Sequence, residues 1–228
     1  MANRATIIIP CYNYAHFLPQ ALDSALAQTY QDKEIIVVDD CSTDDTEQLM
    51  ATKYPGVKYI RHIQNKGLSA TRNTGIEAST GDWIMSLDAD DWIDKDLLQL
   101  SIDFANAKNA DIVGVWQQEF GERHEVHNFH PNPGHEDFLN GNKINCSSLF
   151  RRKVYDTIGG YDVRLLKGYE DWQYWLRATK AGFTVVTVPL ALFHYRIHKD
   201  SMIAGLIKKD LRDETFQEMK DSIPEIFA

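Results

Sequence analysis

The sequence predicts an α/β protein in which helices flank a mostly parallel β-sheet. Three observations support this fold class. Short, largely apolar, β-branched runs such as Ala5–Ile9 and Glu34–Val38 are typical of strands buried on both faces. Stretches with apolar residues at helical spacing, such as Phe17–Ala27, separate these runs. Acidic residues follow two of the strands, and parallel sheets bind their ligands at such carboxyl ends.

The first half of the chain alternates strands and helices, which implies right-handed crossovers between parallel strands. Strands are predicted at Ala5–Ile9, Glu34–Val38, Val57–Arg61, Trp83–Leu87 and Ile112–Trp116. Helices are predicted at Phe17–Ala27, from Ser42–Asp45 onward, at Ser69–Ala78 and at Asp94–Lys108. Since polar residues follow the first, second and fourth strands, we expect them along one rim of the sheet. They are Tyr12, Asp39, Asp40 and the residues of Asp88–Asp91.

The second half is less regular. Residues 117–137 are polar and show no clean period, so we expect a loop or a short hairpin over the rim. Further elements are predicted as strands at Ser147–Phe150 and Ala191–His198, and as helices at Lys153–Ile158, Tyr169–Ala181 and about Leu206–Lys220. No linker composition interrupts the chain. Residues 1–228 are therefore predicted to form one domain with two parts, about 1–116 and about 117–228.

Composition is that of an ordinary globular protein, with 43% hydrophobic and 25% charged residues among 228. The net charge of −9 argues against nucleic acid as a partner, because phosphate binding needs a basic surface. Cys11, Cys41 and Cys146 are far apart, which favours reduced thiols in the cytoplasm over disulfides or a zinc site. We recognise neither a signal peptide nor a membrane-spanning run, so we expect a soluble protein with peripheral membrane contact still open.

Asp88 and Asp90 form a candidate metal site at the end of the fourth predicted strand. On an extended segment, side chains two residues apart point to the same side. Two adjacent carboxylates repel each other unless a cation lies between them, and such oxygen ligands suit Mg²⁺ or Mn²⁺. The alternative explanation is a helix N-terminus, which Asp90, Asp91 and Asp94 would also favour.

Asp39 and Asp40 end the second strand and allow two interpretations. One is nucleotide recognition, in which a carboxylate accepts hydrogen bonds from the base or ribose. The other is a phosphoacceptor receiver domain, but there the acidic pair follows the first strand and a Lys follows a late one. This chain has its pair after the second strand and no such Lys. Nucleotide recognition is therefore preferred, and capping of the turn before Ser42 and Thr43 is the alternative for one of the two residues.

Several motifs occur together in a fixed order. They are TIIIPCYN (Thr6–Asn13), EIIVVDDCSTDDT (Glu34–Thr46), NKGLSATRNTGI (Asn65–Ile76), DWIMSLDADDW (Asp82–Trp92), CSSLFRR with IGGYD (Cys146–Asp162), YEDWQYWLR (Tyr169–Arg177) and YRIH (Tyr195–His198). This ordered set closely resembles the family 2 glycosyltransferases and covers about residues 5–200. The resemblance implies the GT-A fold, which has a Rossmann-like, mostly parallel sheet and a smaller acceptor-side region. It makes about 1–116 the nucleotide-sugar-binding part and about 117–228 the part with the acceptor side and the catalytic base.

The resemblance implies a nucleotide site in the first part. Pro10 and Tyr12 match the motif that lines the nucleobase pocket, and Tyr12 could stack on the base. Asp40, together with Asp39, matches the carboxylate that contacts the base or ribose. The implied donor is a nucleotide sugar, with a UDP-sugar the first expectation.

The remaining matched residues imply the chemistry. Arg72 and Asn73 match a segment near the nucleotide, where an Arg could contact phosphate. Asp88 matches the donor-side acid of the DxD motif and Asp90 the ligand of Mn²⁺ or Mg²⁺. Asp171 matches the catalytic base of inverting members, which would deprotonate the acceptor hydroxyl opposite the departing diphosphate. The alternative for Asp171 is an acidic first helical turn that interacts with the helix dipole.

Alternation along the last predicted strand places His194, Arg196 and His198 on one face. Diphosphate or metal contact is the functional interpretation, with His198 as a metal ligand, and a solvated strand face is the alternative. Glu170 and Trp172 are candidate acceptor contacts, although a Trp on a helix is more often part of the core. The histidines at 124, 127 and 130 recur every third residue, and ordinary surface histidines are the expectation there.

The sequence leaves two functional classes open. The first is an inverting transferase acting on a glycan, a lipid-linked glycan or another hydroxyl acceptor, in the cytoplasm or at the inner face of the membrane. The second is a catalytically silent module of the same fold that binds a nucleotide or a glycan. The presence of both Asp90 and Asp171 favours the first.

Overall fold

A computed structural model describes residues 4–199, 201, 204–205 and 210–227. The strands are β1 (Ala5–Cys11), β2 (Lys33–Asp39), β3 (Lys58–Arg61), β4 (Trp83–Ser86), β5 (Trp92–Ile93), β6 (Ile112–Gly121), β7 (Val126–His127), β8 (Leu149–Arg151) and β9 (Val185–Ile197). The helices are α1 (Leu18–Leu26), α2 (Thr46–Lys53), α3 (Leu68–Glu77), α4 (Leu97–Lys108), α5 (His135–Leu139), α6 (Arg152–Ile158), α7 (Glu170–Lys180), α8 (Arg212–Ser222) and α9 (Pro224–Phe227).

One sheet joins these strands in the order β3-β2-β1-β4-β8-β6-β9-β5, and β7 pairs with β6. The neighbours from β3 to β4 are parallel, as are β6 and β9. β8 is antiparallel to both β4 and β6, and β5 is antiparallel to β9. The predicted α/β class with a mostly parallel sheet is therefore confirmed.

Two apolar layers enclose the sheet because successive strand side chains point to opposite faces. Ile7 and Ile9 of β1 pack in the layer that contains Leu22 of α1 and Ile102 of α4. Ile8 packs in the opposite layer, with Ile76 of α3 and Trp175 of α7. Burial on both faces explains why β1 reads as a continuous apolar run rather than an alternating one.

The predicted elements of the first half are present, with shifts at their ends. Strand β6 continues past Trp116 to Gly121 and forms a short hairpin with β7, one of the two alternatives expected for this polar region. The last strand begins at Val185, earlier than the predicted Ala191. Pairing with β6 steps from Val188 to Ala191 at a bulge, where Pro189 cannot donate to a ladder. Because Pro is unusual inside a strand, the sequence pattern indicated a strand that begins only after Pro189, whereas β9 runs through it.

Three short elements were not predicted, β5, α5 and α9, because each is too short for a periodic pattern. Helix α4 begins at Leu97 rather than Asp94, because β5 pairs with β9 just before it. The predicted C-terminal helix is present as α8, while its expected residues 206–209 lie outside the described residues. Within the described part of the chain, none of the helices is long and apolar enough to cross a membrane.

Candidate functional site

A cavity of about 610 Å³ lies at the carboxyl ends of the central parallel strands. It is lined by eight residues that the sequence singled out: Pro10, Tyr12, Asp40, Arg72, Asp88, Asp90, Glu170 and Asp171. Other predicted site residues lie outside its lining: Asp39, Asn73, Trp172, Arg196 and His198. The cavity therefore brings together the ends of β1, β2 and β4 with the start of α7.

The two acids at the end of β2 have different surroundings. Asp40 faces the cavity, and its carboxylate accepts hydrogen bonds from the backbone N–H groups of Lys66 and Gly67, both at 2.8 Å. The ring of His62 lies 2.7 Å from the same carboxylate, Nδ1 to Oδ1. These contacts hold the Asp40 carboxylate against the loop that precedes α3.

Asp39 is fully buried on the other side of the strand end. It accepts hydrogen bonds from the Ser42 backbone N–H at 2.8 Å and from the Tyr59 hydroxyl at 2.5 Å, and Arg61 Nε lies 3.2 Å away. Asp39 thus ties β2 to β3 and closes the turn, while Asp40 and the 48% exposed Tyr12 face the cavity.

Arg72 is a buried cation between two carboxylates. Its Nη2 lies 2.8 and 3.1 Å from the oxygens of Asp88, and its Nη1 lies 2.5 Å from Oε1 of Glu170. Nε donates to the Ser86 hydroxyl at 3.0 Å. Burial disfavours the charge, but the two carboxylates outweigh it and raise the pKa of Arg72 above its ordinary value. Arg72 therefore joins the end of β4 to the start of α7.

Asn73, the next residue on α3, faces away from the cavity. Its side chain donates to the carbonyl of Tyr161 and accepts from the N–H of the same residue, both at 2.8 Å. Asn73 therefore pins the loop after α6 against α3. A Cβ on Gly160 would lie 2.5 Å from Asn73 Oδ1, so a side chain there would force the Asn73 amide to move.

Asp88, Asp90 and Asp91 form an acidic cluster after β4. Asp91 Oδ1 accepts a hydrogen bond from the Arg196 N–H at 2.7 Å, but no described residue donates to its buried Oδ2. Burial, and then the charge of neighbouring acids, raises the pKa of both Asp90 and Asp91. His198 Nε2 lies 2.9 Å from Asp90 Oδ2. The Asp90 carboxylate and the His198 imidazole, next to the unpaired Oδ2 of Asp91, offer oxygen and nitrogen donors that fit a divalent cation.

Arg196 contacts this cluster from outside the cavity lining. Its Nε donates to the carbonyl of Asp90 at 2.7 Å, and its guanidinium lies 4.5 Å from the ring of Phe17 and 4.4 Å from that of Phe120. Such stacking is typical of Arg. His194, two residues earlier, stacks on Trp92 with ring centroids 3.5 Å apart and lies 2.9 Å from Asp94. His194 is therefore held outside the cavity.

Asp171 lies in the first turn of α7. Its Oδ1 accepts a hydrogen bond from the Trp172 N–H at 2.7 Å, and its Oδ2 accepts one from Asn142 Nδ2 at 2.9 Å. Burial and the adjacent Glu170 outweigh Arg72 and raise the pKa of Asp171 to about 7. A carboxyl group in this range can take and return a proton near neutral pH.

The two candidate acceptor contacts differ in position. Glu170 lines the cavity but is 6% exposed and bound to Arg72. Trp172 donates from Nε1 to the Phe138 carbonyl at 2.7 Å and stacks on Phe216 of α8 with centroids 5.1 Å apart. Its ring therefore packs between α5 and α8.

The histidines of the hairpin region are separated from the cavity. His127 Nε2 lies 2.8 Å from Glu119, which also pairs with Arg123. The ligand atoms of Glu119, Glu125 and His127 lie within 4.8 Å of one another, but Arg123 already neutralises Glu119. His124 and His130 are not part of this group.

Three cavity-wall or supporting residues were not predicted as site residues from the sequence: His62, Asn142 and Cys146. His62 connects Asp40 to the Thr74 hydroxyl of α3, at 3.0 Å from its Nε2. Cys146 Sγ lies 3.5 Å from Asp88 Oδ2. His62 carried a weak signal, as a polar residue after a strand. Asn142 lies in an unpatterned stretch, so nothing in its sequence neighbourhood marks it.

Residues 6–159 match the family model described as glycosyl transferase family 2. The chain belongs to glycosyl transferase family 2. The family resemblance of the sequence and the expected enzyme class, a glycosyltransferase, are thus confirmed. A relative described as "Putative glycosyltransferase EpsE", from Bacillus subtilis strain 168, is 30% identical over 212 residues, which are 87% of this chain and 74% of the relative.

Other relatives of this family 2 glycosyltransferase are longer. The glycosyltransferase GlyA of Streptococcus pneumoniae is 35% identical over 130 residues, 56% of this chain and 19% of GlyA. The succinoglycan biosynthesis protein ExoO of Rhizobium meliloti is 42% identical over 108 residues, 47% of this chain and 31% of ExoO. The matched regions thus span less than a third of either relative.

Two solved glycosyltransferases share the fold, which is the expected GT-A fold. TarS residues 1–349 of S. aureus, crystallised with UDP, match at a TM-score of 0.74 with 21% identity, over 86% of this chain and 61% of that one. The mannosyltransferase PcManGT of Pyrobaculum calidifontis, in complex with GDP-Man and Mn²⁺, matches at 0.70 with 20% identity, over 90% and 60%.

Proposed function

We propose that this glycosyltransferase moves a sugar from a nucleotide-sugar donor to a hydroxyl acceptor with inversion at the anomeric carbon, using Asp171 as the base. The observation that carries this proposal is the position of Asp171. It lies on the same cavity as Tyr12, Asp40, Asp88 and Asp90, and its raised pKa of about 7 suits a general base.

On the acceptor side, Asp171 takes the proton of the attacking hydroxyl. As the base it must be ionised, so transfer rises as the pH increases through about 7. The Trp172 N–H and the Asn142 amide hold its two oxygens, so the carboxylate keeps one orientation during attack. Inversion follows from attack opposite the leaving group by a hydroxyl activated at this single carboxylate.

On the donor side, Tyr12 offers an exposed ring on which a base can stack, and Asp40 an acceptor for its N–H groups or for the ribose hydroxyls. UDP-sugars are our first choice of donor, and GDP-sugars the second. Both nucleobases present such N–H donors. Because Arg72 is engaged by Asp88 and Glu170, we assign it to organising the site rather than to binding phosphate.

Asp90 would hold Mn²⁺ or Mg²⁺, with Asp88 and His198 as further candidate ligands. A bound cation would supply charge neutralisation for the departing diphosphate. Asp90 is the strongest candidate, since Arg72 already neutralises Asp88.

The acceptor we propose is a hydroxyl of a glycan or of a lipid-linked glycan. Nucleotide sugars and reduced cysteines both fit the cytoplasm, and a lipid-linked acceptor would be met there by peripheral contact with the inner face of the membrane.

Nucleotide binding tests the donor side. In a thermal shift assay with UDP, GDP and dTDP, each with and without Mn²⁺, we expect at least one nucleotide to raise the Tm by several degrees only with metal. Asp90→Asn should remove the metal dependence. Asp94→Asn is the matched control, because Asp94 pairs with His194 away from the cavity. Equal shifts with and without metal would refute the metal assignment.

A further inference from the structure

Asn142 lies in the cavity wall, in the segment between α5 and β8. Its Nδ2 donates to Oδ2 of Asp171 at 2.9 Å. The other oxygen of Asp171 is taken by the backbone N–H of Trp172, at 2.7 Å. Among the residues that the structure describes, Asn142 is thus the side chain that donates to this carboxylate.

The rest of the Asn142 amide is not satisfied. Its Oδ1 is buried, and no described residue donates to it. A buried carbonyl without a donor costs free energy, so a purely structural role does not explain why an amide stands here. Turning the amide over would place Oδ1 against an ionised carboxylate, which has no hydrogen to donate. The observed orientation of the amide therefore stabilises an ionised Asp171 and leaves Oδ1 of Asn142 without a hydrogen-bond donor.

Charged and titratable groups surround Asp171 from several elements. Glu170, its neighbour on α7, disfavours the carboxylate, whereas Arg72 from α3 favours it. The Cys146 thiol and the Tyr161 hydroxyl lie nearby, and burial raises the pKa of both, so they stay neutral. Asn142 adds a hydrogen bond to the charged form without adding another charge to this crowded site.

We propose that Asn142 is a positioning residue for the catalytic base: its amide fixes Oδ2 of Asp171 and favours the ionised carboxylate. This inference rests on the proposed function, since it takes Asp171 as the base. It assigns a role to the unpatterned region before β8, and it predicts effects on Asp171 that a packing role would not produce.

The direct test is the titration of the Asp171 carboxyl carbon by ¹³C NMR in the full chain, with Asp171→Asn used to assign the signal. Hydrogen bonds to a carboxylate favour its charged form, so Asn142→Ala should raise the pKa of Asp171 by about one. Asn142→Asp, which keeps the shape and replaces the donor with a second acid, should raise it further. This near-isosteric variant also decides the matter if the alanine variant folds poorly.

Asn140→Ala is the matched control, because Asn140 is exposed and its side chain bonds only to the carbonyl of Glu136 among the described groups. The inference is overturned if the Asp171 titration in Asn142→Ala and Asn142→Asp coincides with that of Asn140→Ala. This measurement needs no substrate, so it stands whether or not a donor is turned over.

Turnover supplies the second readout. With a nucleotide sugar that the wild type hydrolyses, Asn142→Ala should lower kcat about tenfold near pH 7, leave the donor KM unchanged and move the rise in rate to higher pH. An unchanged pH profile would overturn the positioning role. If the wild type hydrolyses no donor, the proposed function fails, while the carboxyl titration still decides the role of Asn142.

Discussion

Arg72 shows how single residues connect the two sides of the cavity. It lies fully buried on α3, with Asp88, which follows β4, at one end of its guanidinium and Glu170 of α7 at the other. The Arg72 fork can hold both carboxylates at once, which a Lys ammonium on its flexible stem would do with less fixed geometry. Because Glu170 directly precedes Asp171, these two ion pairs connect the end of β4 to the helix turn that carries Asp171.

Asp171 carries the clearest conflict between stability and function. Its pKa in the folded protein, about 7, lies above that of an unfolded Asp, about 4. The folded state therefore binds more protons between these values, and the contribution of Asp171 to stability decreases as the pH rises from about 4 to about 7.

Replacing Asp171 should consequently stabilise the protein at alkaline pH. At pH 8 we expect the free energy of unfolding of Asp171→Asn to exceed that of the wild type by roughly 1–3 kcal/mol. The difference should shrink towards pH 4.5, where the wild-type group is protonated in the folded state. Urea denaturation at the two pH values measures this. If Asp171→Asn were less stable than the wild type by the same amount at both pH values, that result would contradict the burial of an ionised Asp171 carboxylate.

Residue chemistry was predictable only where local sequence implies it. The acids after β2 and β4 could be located because strand ends meet at one rim. Their different partners could not: Asp39 and Asp40 are adjacent in sequence, yet one ties β2 to β3 and the other faces the cavity. The partner of Asp171, Asn142, is 29 residues away in a segment without periodicity, so only the tertiary structure reveals it.

At the scale of elements, long periodic segments were predicted and short ones were not. β1, β2 and α7 carry enough buried residues to show a pattern. β5 has two residues and is a strand because β9 lies beside it, so its existence depends on tertiary pairing. The start of β9 was missed because Pro189 interrupts an otherwise regular strand at the bulge.

The contact between α3 and β1 leaves no room for a side chain at one helix position. A Cβ on Gly75 would lie 2.3 Å from Cγ2 of Ile8. Although alanine favours helices, we expect Gly75→Ala to destabilise the fold by about 1–3 kcal/mol through overpacking. Denaturant midpoints measure this. Gly56→Ala is the control, since nothing lies within 4 Å of its added Cβ. Equal midpoints for the two variants would contradict the close approach of α3 to the sheet.

At the scale of the whole molecule, the cavity lies between two parts of the chain: the ends of the parallel strands, and α7 with the segment before β8. The parallel strands β3-β2-β1-β4 provide the side of the cavity that we propose binds the nucleotide, and α7 with the segment before β8 provides the proposed base Asp171 and Asn142. The first region was predictable in detail because it repeats strand and helix. In the second region the sequence pointed to Asp171 but not to the surrounding shape, because the short elements there pack around α7 without a repeating pattern.

The turnover of nucleotide sugars tests the proposed chemistry most directly. UDP-, GDP- and dTDP-sugars would be incubated with Mn²⁺ and either the wild type or Asp171→Asn, and released sugar and nucleotide measured by mass spectrometry. We predict that the wild type slowly hydrolyses at least one donor and that this hydrolysis is faster above pH 7. In Asp171→Asn we predict a hydrolysis rate at least about 100-fold lower, while nucleotide binding stays intact. Equal rates in the two proteins would contradict Asp171 as the base, and binding without any turnover would indicate a catalytically silent module.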